Sequence, residues 1–343
     1  MAVVKTYYTP FLLLTVLLVC CFFINISLGS VAIPVGEVLT VLFGGDTERT
    51  SWTYIVLNYR LPKALTAVLT GSGLALSGLL MQTLFRNPLA GPFVLGISSG
   101  ASLGVALLIM GSAVLGPLFA LTVVNNISLA VAASLGSFLV LLVVVIVAGS
   151  IRDTMAILII GLMFGSITAA VVSVLSFFSK SEELQRYIFW SMGSLGNLSW
   201  HQLLLLVLIF LMGLGLSIRS LKALNSLLLG EHYAKSMGVH LKRARYVIII
   251  ATSLLAGSIT SFAGPIAFVG LAVPHLTKQV FNTTNHKVLL PAVLLYGAVL
   301  MLVCDTVAQL PFSEFTLPIN AITSIVGAPV VIWLLVRKRK MIF

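Results

Sequence analysis

One uninterrupted apolar run limits what this chain can fold into. From Leu61 to Met81 the sequence holds 21 residues with a single charge, that of Lys63 near the start. A helix of that length spans a hydrocarbon core of about 30 Å. Charged residues make up only 8% of the chain, whereas soluble domains carry about 25%. The sequence therefore predicts an all-α polytopic membrane protein.

Ten apolar runs are candidate transmembrane spans. They cover roughly residues 10–29, 60–83, 93–111, 123–148, 154–178, 200–218, 242–262, 266–280, 288–310 and 319–336. The eighth is short for a span, which indicates a tilted or partly re-entrant segment. The first could be mistaken for a signal peptide, but no A-x-A cleavage site follows it, so we interpret it as an uncleaved span.

The distribution of basic residues orients these spans. With the N-terminus inside, five of the 20 basic residues fall outside, namely Arg49, Arg60, Lys63, Lys180 and Arg186, and the other 15 lie on the cytoplasmic side. This bias is what the positive-inside rule predicts, and ten spans place both termini in the cytoplasm. The net charge of +11 is then mainly a topology signal, and we expect no nucleic-acid partner.

A short motif occurs twice. Ala90-Gly91-Pro92 returns as Ala263-Gly264-Pro265, 173 residues later. Five spans separate the two copies, so the predicted pseudo-repeats, about 60–178 and 242–336, would have inverted topologies, as is common in transporters. A chance match of three small residues is the alternative.

The titratable residues within the spans bear on the source of energy. Asp305 is the only acidic residue inside a long apolar run, and His275 lies in the short eighth span. Ion-coupled transporters usually bury several such groups, so we expect the energy to come from elsewhere. The chain has no phosphate-binding loop motif, which indicates a separate ATPase subunit. An ion-coupled transporter that uses Asp305 remains the alternative.

No pattern in the sequence indicates catalysis or a metal site. The spans lack paired acids, an H-E-x-x-H motif and a serine–base arrangement, so we expect no enzyme activity. The three cysteines lie in apolar runs without metal or disulfide spacing. We expect neither a catalytic residue, a bound metal nor a cofactor in this chain.

One internal cytoplasmic segment, residues 226–240, is too polar to insert into a membrane. Its sequence from Leu227 is LLLGEHYAKSMG, and Gly230 and Gly238 would bound a short surface helix. An ordinary loop helix and a surface for a partner protein both fit this composition.

Several motifs in register resemble the FecCD or BtuC-like permeases, a family of bacterial ABC importers for iron-siderophores, haem and cobalamin. The stretch from Arg60 to Ala101 is similar to the family signature, and Asp305-x-x-Ala308 is similar to one of its closing elements. The other matching elements are Gly230-Glu231-x-x-Ala234-x-x-x-Gly238, Gly264 to Leu271 with Pro274-His275, Leu317-Pro318, and Gly327-Ala328-Pro329. Two positions depart from the family: Gln309 stands where arginine is frequent, and Asn320 where glycine is usual.

The resemblance implies a type II ABC importer permease, in which residues 1–343 form one transmembrane domain. It implies two permease chains, identical or with a close paralogue as the second, and two ATPase subunits that bind ATP and Mg²⁺. It also implies a substrate-binding protein outside the bacterial inner membrane, whose lipid would surround the permease. An iron-siderophore is the first expectation for the transported chelate, with haem or cobalamin as alternatives.

The resemblance also implies roles for particular residues. Gly230, Glu231, Ala234 and Gly238 would couple the permease to the ATPase. Arg60 and Lys63 would attract carboxylates of the binding protein, and Gln309 would contribute less than the usual arginine. The fifth span would line the pathway. Its row of small residues at every fourth position indicates either close helix packing or a pathway wall; these are Gly161, Gly165, Ala169 and Ser173.

Overall fold

The computed structural model describes residues 2–45, 47–111, 124–150, 154–313 and 315–339. Every regular element within these ranges is helical, which confirms the all-α prediction. Numbered in chain order, the α-helices are α1 Ala2–Ser27, α2 Val35–Leu42, α3 Thr50–Ile55, α4 Leu61–Leu84, α5 Ile97–Met110, α6 Asn126–Ser150, α7 Thr154–Phe178, α8 Ser181–Ser191, α9 Trp200–Arg219, α10 Leu221–Leu227, α11 Glu231–Ser236, α12 Leu241–Ala263, α13 Val269–Phe281, α14 His286–Ala308 and α15 Ile319–Arg339.

Each of the ten predicted spans coincides with one of these helices. Seven described helical stretches are long and apolar enough to cross a membrane, and Ile97–Met110 and Ile319–Trp333 are shorter apolar helices. The predicted eighth span is α13, and its 13 residues confirm that it is short.

Two of the boundaries that differ from the prediction have a clear structural reason. The second span begins earlier, at Thr50, because a π-helical turn from Val56 to Arg60 joins α3 to α4 without a break. The polar and aromatic residues of that first part hid it from a search for apolar runs. The third span begins later because Pro92–Leu95 form a 3₁₀ turn and Gly96, at φ 73°, stands before α5.

The chain divides into two compact units. The first comprises Met1–Leu79, Ser194–Val207 and Ile266–Phe343, and the second comprises Leu80–Gly193 and Leu208–Pro265. In the first unit α1 packs on α14, and the ring of Phe11 in α1 lies 4.7 Å from that of Phe281, the last residue of α13, between centroids. In the second unit α5 packs on α6 and α7 around Ala101, Val105 and Met110.

Glycine contacts hold α4 close to its neighbours in the first unit. A Cβ atom added to Gly71 would meet the carbonyl of Gly297 in α14, and one added to Gly78 would meet the carbonyl of Gly270 in α13. Small residues permit such backbone approach, which replaces the hydrophobic driving force that helices lack inside a membrane. At these two positions of α4 the neighbouring backbone therefore leaves room only for glycine.

The two copies of the Ala-Gly-Pro motif lead into similar local structures. The first is followed by a residue with positive φ, Gly96, and by the 14-residue α5. The second is followed by Phe268 at φ 66° and by the 13-residue α13. The pseudo-repeat boundaries themselves stay a prediction.

Candidate functional site

The polar segment 226–240 contains the short helix that the two glycines led us to expect. Helix α11 runs from Glu231 to Ser236. Gly230 has φ 107° and Gly238 has φ 79°, conformations that side chains with a Cβ rarely adopt. Glycine therefore sets both ends of α11.

Two contacts fix α11 to the second unit. Ala234 is fully buried beneath the helix. Glu231 Oε1 lies 3.2 Å from Arg245 Nη2 in α12, and these side chains are 40% and 13% exposed, respectively. A pair this exposed contributes about 1 kcal/mol or less, so it orients the helix more than it stabilises the fold.

The outer face of α11 presents two large apolar side chains. Tyr233 is 54% exposed and Met237, four residues later, is 46% exposed. Residues four apart lie on one helix face. Of the expected coupling residues, Ala234 is buried. The exposed surface instead includes Tyr233 and the C-cap residue Met237, for which no role was expected from the sequence.

A second cluster surrounds Asp305 in the first unit. Lys63 Nζ lies 3.2 Å from Asp305 Oδ1, and the two side chains are 23% and 3% exposed. Asn25 Nδ2 and Gln309 Nε2 each donate to Asp305 Oδ2 at 2.9 Å. One carboxylate therefore binds side chains from α1, from α4 and from the end of α14.

Arg60 has a different environment. Its guanidinium donates to the carbonyls of Ile26 at 2.7 Å and Ser27 at 2.9 Å, and also to the carbonyl of Val31. The last carbonyls of a helix lack partners within the helix, and a nearby arginine can satisfy them. Arg60 thus caps the C-terminal end of α1.

The three residues expected at the docking surface therefore already have partners within the chain. Arg60 is half-buried, Lys63 is paired with Asp305, and Gln309 is buried beside the same carboxylate. Their role in binding another protein stays a prediction. Sequence reasoning missed Asn25 altogether, since a single amide in an apolar run gave no signal of its partner.

The departure at Asn320 has a clear structural consequence. Asn320 Oδ1 accepts a hydrogen bond of 3.0 Å from the backbone N–H of Ala267. Ala267 directly precedes Phe268, a bulky residue held in the left-handed region at φ 66°, which costs roughly 1–2 kcal/mol. The side chain of Asn320 thus secures the turn that leads into α13.

The row of small residues in α7 divides into two parts. Gly161 is buried, and a Cβ atom on Gly165 would lie 3.3 Å from Ser99 Oγ in α5. Ala169 and Ser173 are exposed. Close packing therefore explains the first pair, and the second pair is open to a ligand, to lipid or to another chain.

Within the described ranges, no group of three His, Cys, Asp or Glu side chains could hold a metal ion. The features that these two clusters do show are paired charges and, at α11, exposed apolar side chains.

Comparison with known proteins places these features in a family. The model of the FecCD transport family matches residues 17–337. The hemin transport system permease protein HmuU of Yersinia pestis is 37% identical over 300 residues, which are 87% of this chain and 88% of that protein. The vitamin B12 import system permease protein BtuC of Klebsiella pneumoniae subsp. pneumoniae is 36% identical over 327 residues, 95% of this chain and 93% of that protein.

A solved structure gives the same result for the fold. It is described as an inward-facing conformation of a transporter assigned to the metal-chelate ABC type. It has a TM-score of 0.82 and 31% sequence identity, and the match covers 96% of this chain and 100% of that one. A family match over nearly the whole sequence and two relatives above one-third identity agree with this fold. The chain therefore belongs to the FecCD transport family.

Proposed function

We propose that this chain is the permease subunit of an ATP-driven ABC importer in a bacterial inner membrane. It would receive a metal chelate, most simply an iron-siderophore, from a binding protein and pass it to the cytoplasm. Haem and cobalamin are the alternatives, because relatives with these two substrates have similar identity. The chain would be a transport subunit, and a separate ATPase would hydrolyse ATP.

The exposed face of α11 is the observation that carries this proposal. Tyr233 and Met237 project from a polar segment, and aromatic residues and methionine are enriched where proteins bind one another. The Glu231–Arg245 pair joins the helix to α12, and Ala234 on the same helix is buried. A partner that displaces α11 would therefore act directly on a long apolar helix, as coupling to an ATPase requires.

The alternative, an ion-coupled transporter that uses Asp305, fits this structure poorly. Lys63 already neutralises the carboxylate, and Asn25 and Gln309 donate to it. Both oxygens of the carboxylate are therefore engaged within the chain, and neither is left for a transported ion. This arrangement favours a structural role.

For the outer surface, we propose that Arg60 adds positive potential without forming strong contacts to the binding protein, and that Lys63 adds less because it is paired with Asp305. Gln309 contributes no charge. Long-range attraction mainly raises the association rate and is screened by salt. We therefore expect Arg60→Glu with Lys63→Glu to slow docking and abolish uptake, and added salt to slow docking of the wild type. Normal docking of the double variant would leave both residues with their internal roles alone.

The transport pathway would lie between two copies of this chain. Only 17% of the apolar stretch Ile159–Phe178 in α7 is buried within one copy. Ala169 and Ser173 belong to its exposed part, where small side chains leave room for a bulky chelate. A second permease chain is the proposed cover for this surface.

The decisive experiment targets α11. We would reconstitute the chain with its ATPase subunit. The double variant that carries both Tyr233→Asp and Met237→Asp would then be compared with the wild type. The double variant should insert normally but lose ATPase binding and uptake, because charge would replace the apolar contact. Phe189→Asp is the matched control, since Phe189 is similarly exposed but lies on α8, outside the candidate spans.

Undiminished ATPase binding and uptake in the α11 double variant would refute the assigned surface. The chelate is identified separately, by testing whether the cognate binding protein retains a ferric siderophore, haem or cobalamin. Retention of haem or cobalamin alone would replace the iron-siderophore assignment.

A further inference from the structure

A cavity of about 370 Å³ lies where α9 ends and α12 begins, apart from the exposed face of α11. Its lining includes Arg219, the last residue of α9, Lys222 in α10, and His240 with Arg243 at the start of α12. In the sequence these residues are recognisable only as part of the predicted cytoplasmic excess of positive charge. Together they form a concentrated basic site.

The three cations of this cavity have no acidic counterpart among the residues that the structure describes. Arg219, Lys222 and Arg243 are exposed, and no described residue that lines the cavity is acidic. Both ion pairs in the described part of the chain join other residues. Like charges that converge repel one another, so a bound anion would stabilise this arrangement.

Apolar surface continues from each arginine along its helix. Residues four, seven, eight and eleven positions before Arg219 share its face of α9, and all are exposed: Gly215, Met212, Leu211 and Leu208. Residues four, seven and eleven positions after Arg243 share its face of α12, and all are at least partly exposed: Val247, Ile250 and Leu254. Val247 also lines the cavity.

The cavity lies at the ends of two membrane-crossing stretches, Trp200–Arg219 and Leu241–Ala263. That is the level of lipid headgroups, and the cytoplasmic leaflet contains anionic lipids that basic clusters attract. A soluble anion would use only the charges, whereas a phospholipid would also cover the apolar faces.

We propose that this cavity binds the phosphate headgroup of an anionic phospholipid, whose acyl chains lie along the exposed faces of α9 and α12. Arg219 and Arg243 would hold the phosphate by charge-assisted hydrogen bonds, and Lys222 would add a third positive charge. The lipid would occupy the surface next to the segment that carries α11.

Native mass spectrometry of the full-length chain in detergent tests this proposal. Phosphatidylglycerol, cardiolipin and phosphatidylcholine would be added separately, and we expect the two anionic lipids to bind at least about tenfold more tightly. A triple variant should bind the anionic lipids on the order of a hundredfold more weakly, or about fivefold for each charge removed. It carries Arg219→Gln, Lys222→Gln and Arg243→Gln.

The control removes three exposed basic residues that do not line the cavity, by Lys180→Gln, Arg186→Gln and Lys287→Gln. It should retain wild-type lipid affinity within about threefold, since distant surface charges are screened. Equal losses in both triple variants, or equal binding of phosphatidylcholine, would overturn the proposal.

Two further arms separate the alternatives. Glycerol phosphate at millimolar concentration should not displace the lipid, and displacement would indicate a site for soluble phosphate instead. If the cavity variant kept its lipid but lost the ATPase subunit, the cavity would be a protein contact. Should the triple variant misfold, Arg219→Gln and Arg243→Gln alone should each lower affinity about fivefold.

Discussion

The Lys63–Asp305 pair allows a quantitative test of the structure by a double-mutant cycle. Lys63→Met keeps the length of the side chain but leaves the Asp305 carboxylate, only 3% exposed, without its cation. Removing one partner of a buried ion pair costs about 3–5 kcal/mol. Because Lys63 is 23% exposed, we expect the lower end, about 3 kcal/mol.

The reverse change should be milder. Asp305→Asn preserves the shape and can still accept a hydrogen bond from Asn25, while the freed ammonium of Lys63 can extend toward solvent. We expect a loss of about 1.5 kcal/mol. With both substitutions no uncompensated charge remains, so the double variant should lose about 2 kcal/mol and show a coupling of about 2–3 kcal/mol.

Equilibrium unfolding of the full-length chain in mixed micelles, followed by tryptophan fluorescence, would give these free energies. Lys287→Met is the matched control, because Lys287 is exposed and makes no ion pair within the described residues. If Lys63→Met were no more harmful than Lys287→Met, or if the two losses simply added, the ion pair would not stabilise the fold.

Three further predictions concern single residues. Gly71→Ala drives a Cβ atom into a backbone carbonyl of α14 and should destabilise by about 2 kcal/mol or more. Gly215 has open space around it, so Gly215→Ala should be neutral or stabilising by up to about 1 kcal/mol. Similar melting temperatures for the Gly71→Ala and Gly215→Ala variants would contradict the close packing of α4 against α14. Asn320→Gly removes the hydrogen bond to the turn before α13, so thermal unfolding should show a loss of about 1 kcal/mol, and an unchanged midpoint would show that the turn holds itself. In vesicles with ATP held constant, uptake by wild type and by Asp305→Asn should be equally insensitive to a protonophore, and collapse of wild-type uptake would favour ion coupling.

The sequence was sufficient for the fold because the membrane imposes a simple rule. Any segment crossing hydrocarbon must be long, apolar and internally hydrogen-bonded, and the ten predicted spans each coincide with a helix. The start of the second span at Thr50 and the start of α5 at Ile97 could not be found this way. The first depends on the π-helical turn that joins α3 to α4, and the second on the left-handed conformation of Gly96. Length and polarity carry no information about either.

The candidate sites were only partly predictable. Two glycines marked the ends of α11 correctly, but six residues are too few to show which face is buried, so Ala234 was assigned without its orientation. Lys63 was placed on the outer side and Asp305 inside a span, and a lone acid in a span needs a cation. Their pairing could not be deduced, because it depends on which helices are neighbours.

The glycine contacts of α4 have a consequence for motion. Gly71 and Gly78 are seven residues apart, about 10 Å along the helix, and meet α14 and α13 on the same side. A helix fixed at two points on one face can neither roll about its axis nor slip by a turn without driving backbone into backbone. We therefore expect α4, α13 and α14 to move as one rigid body during transport, so that distances between spectroscopic labels on these three helices stay constant through the cycle.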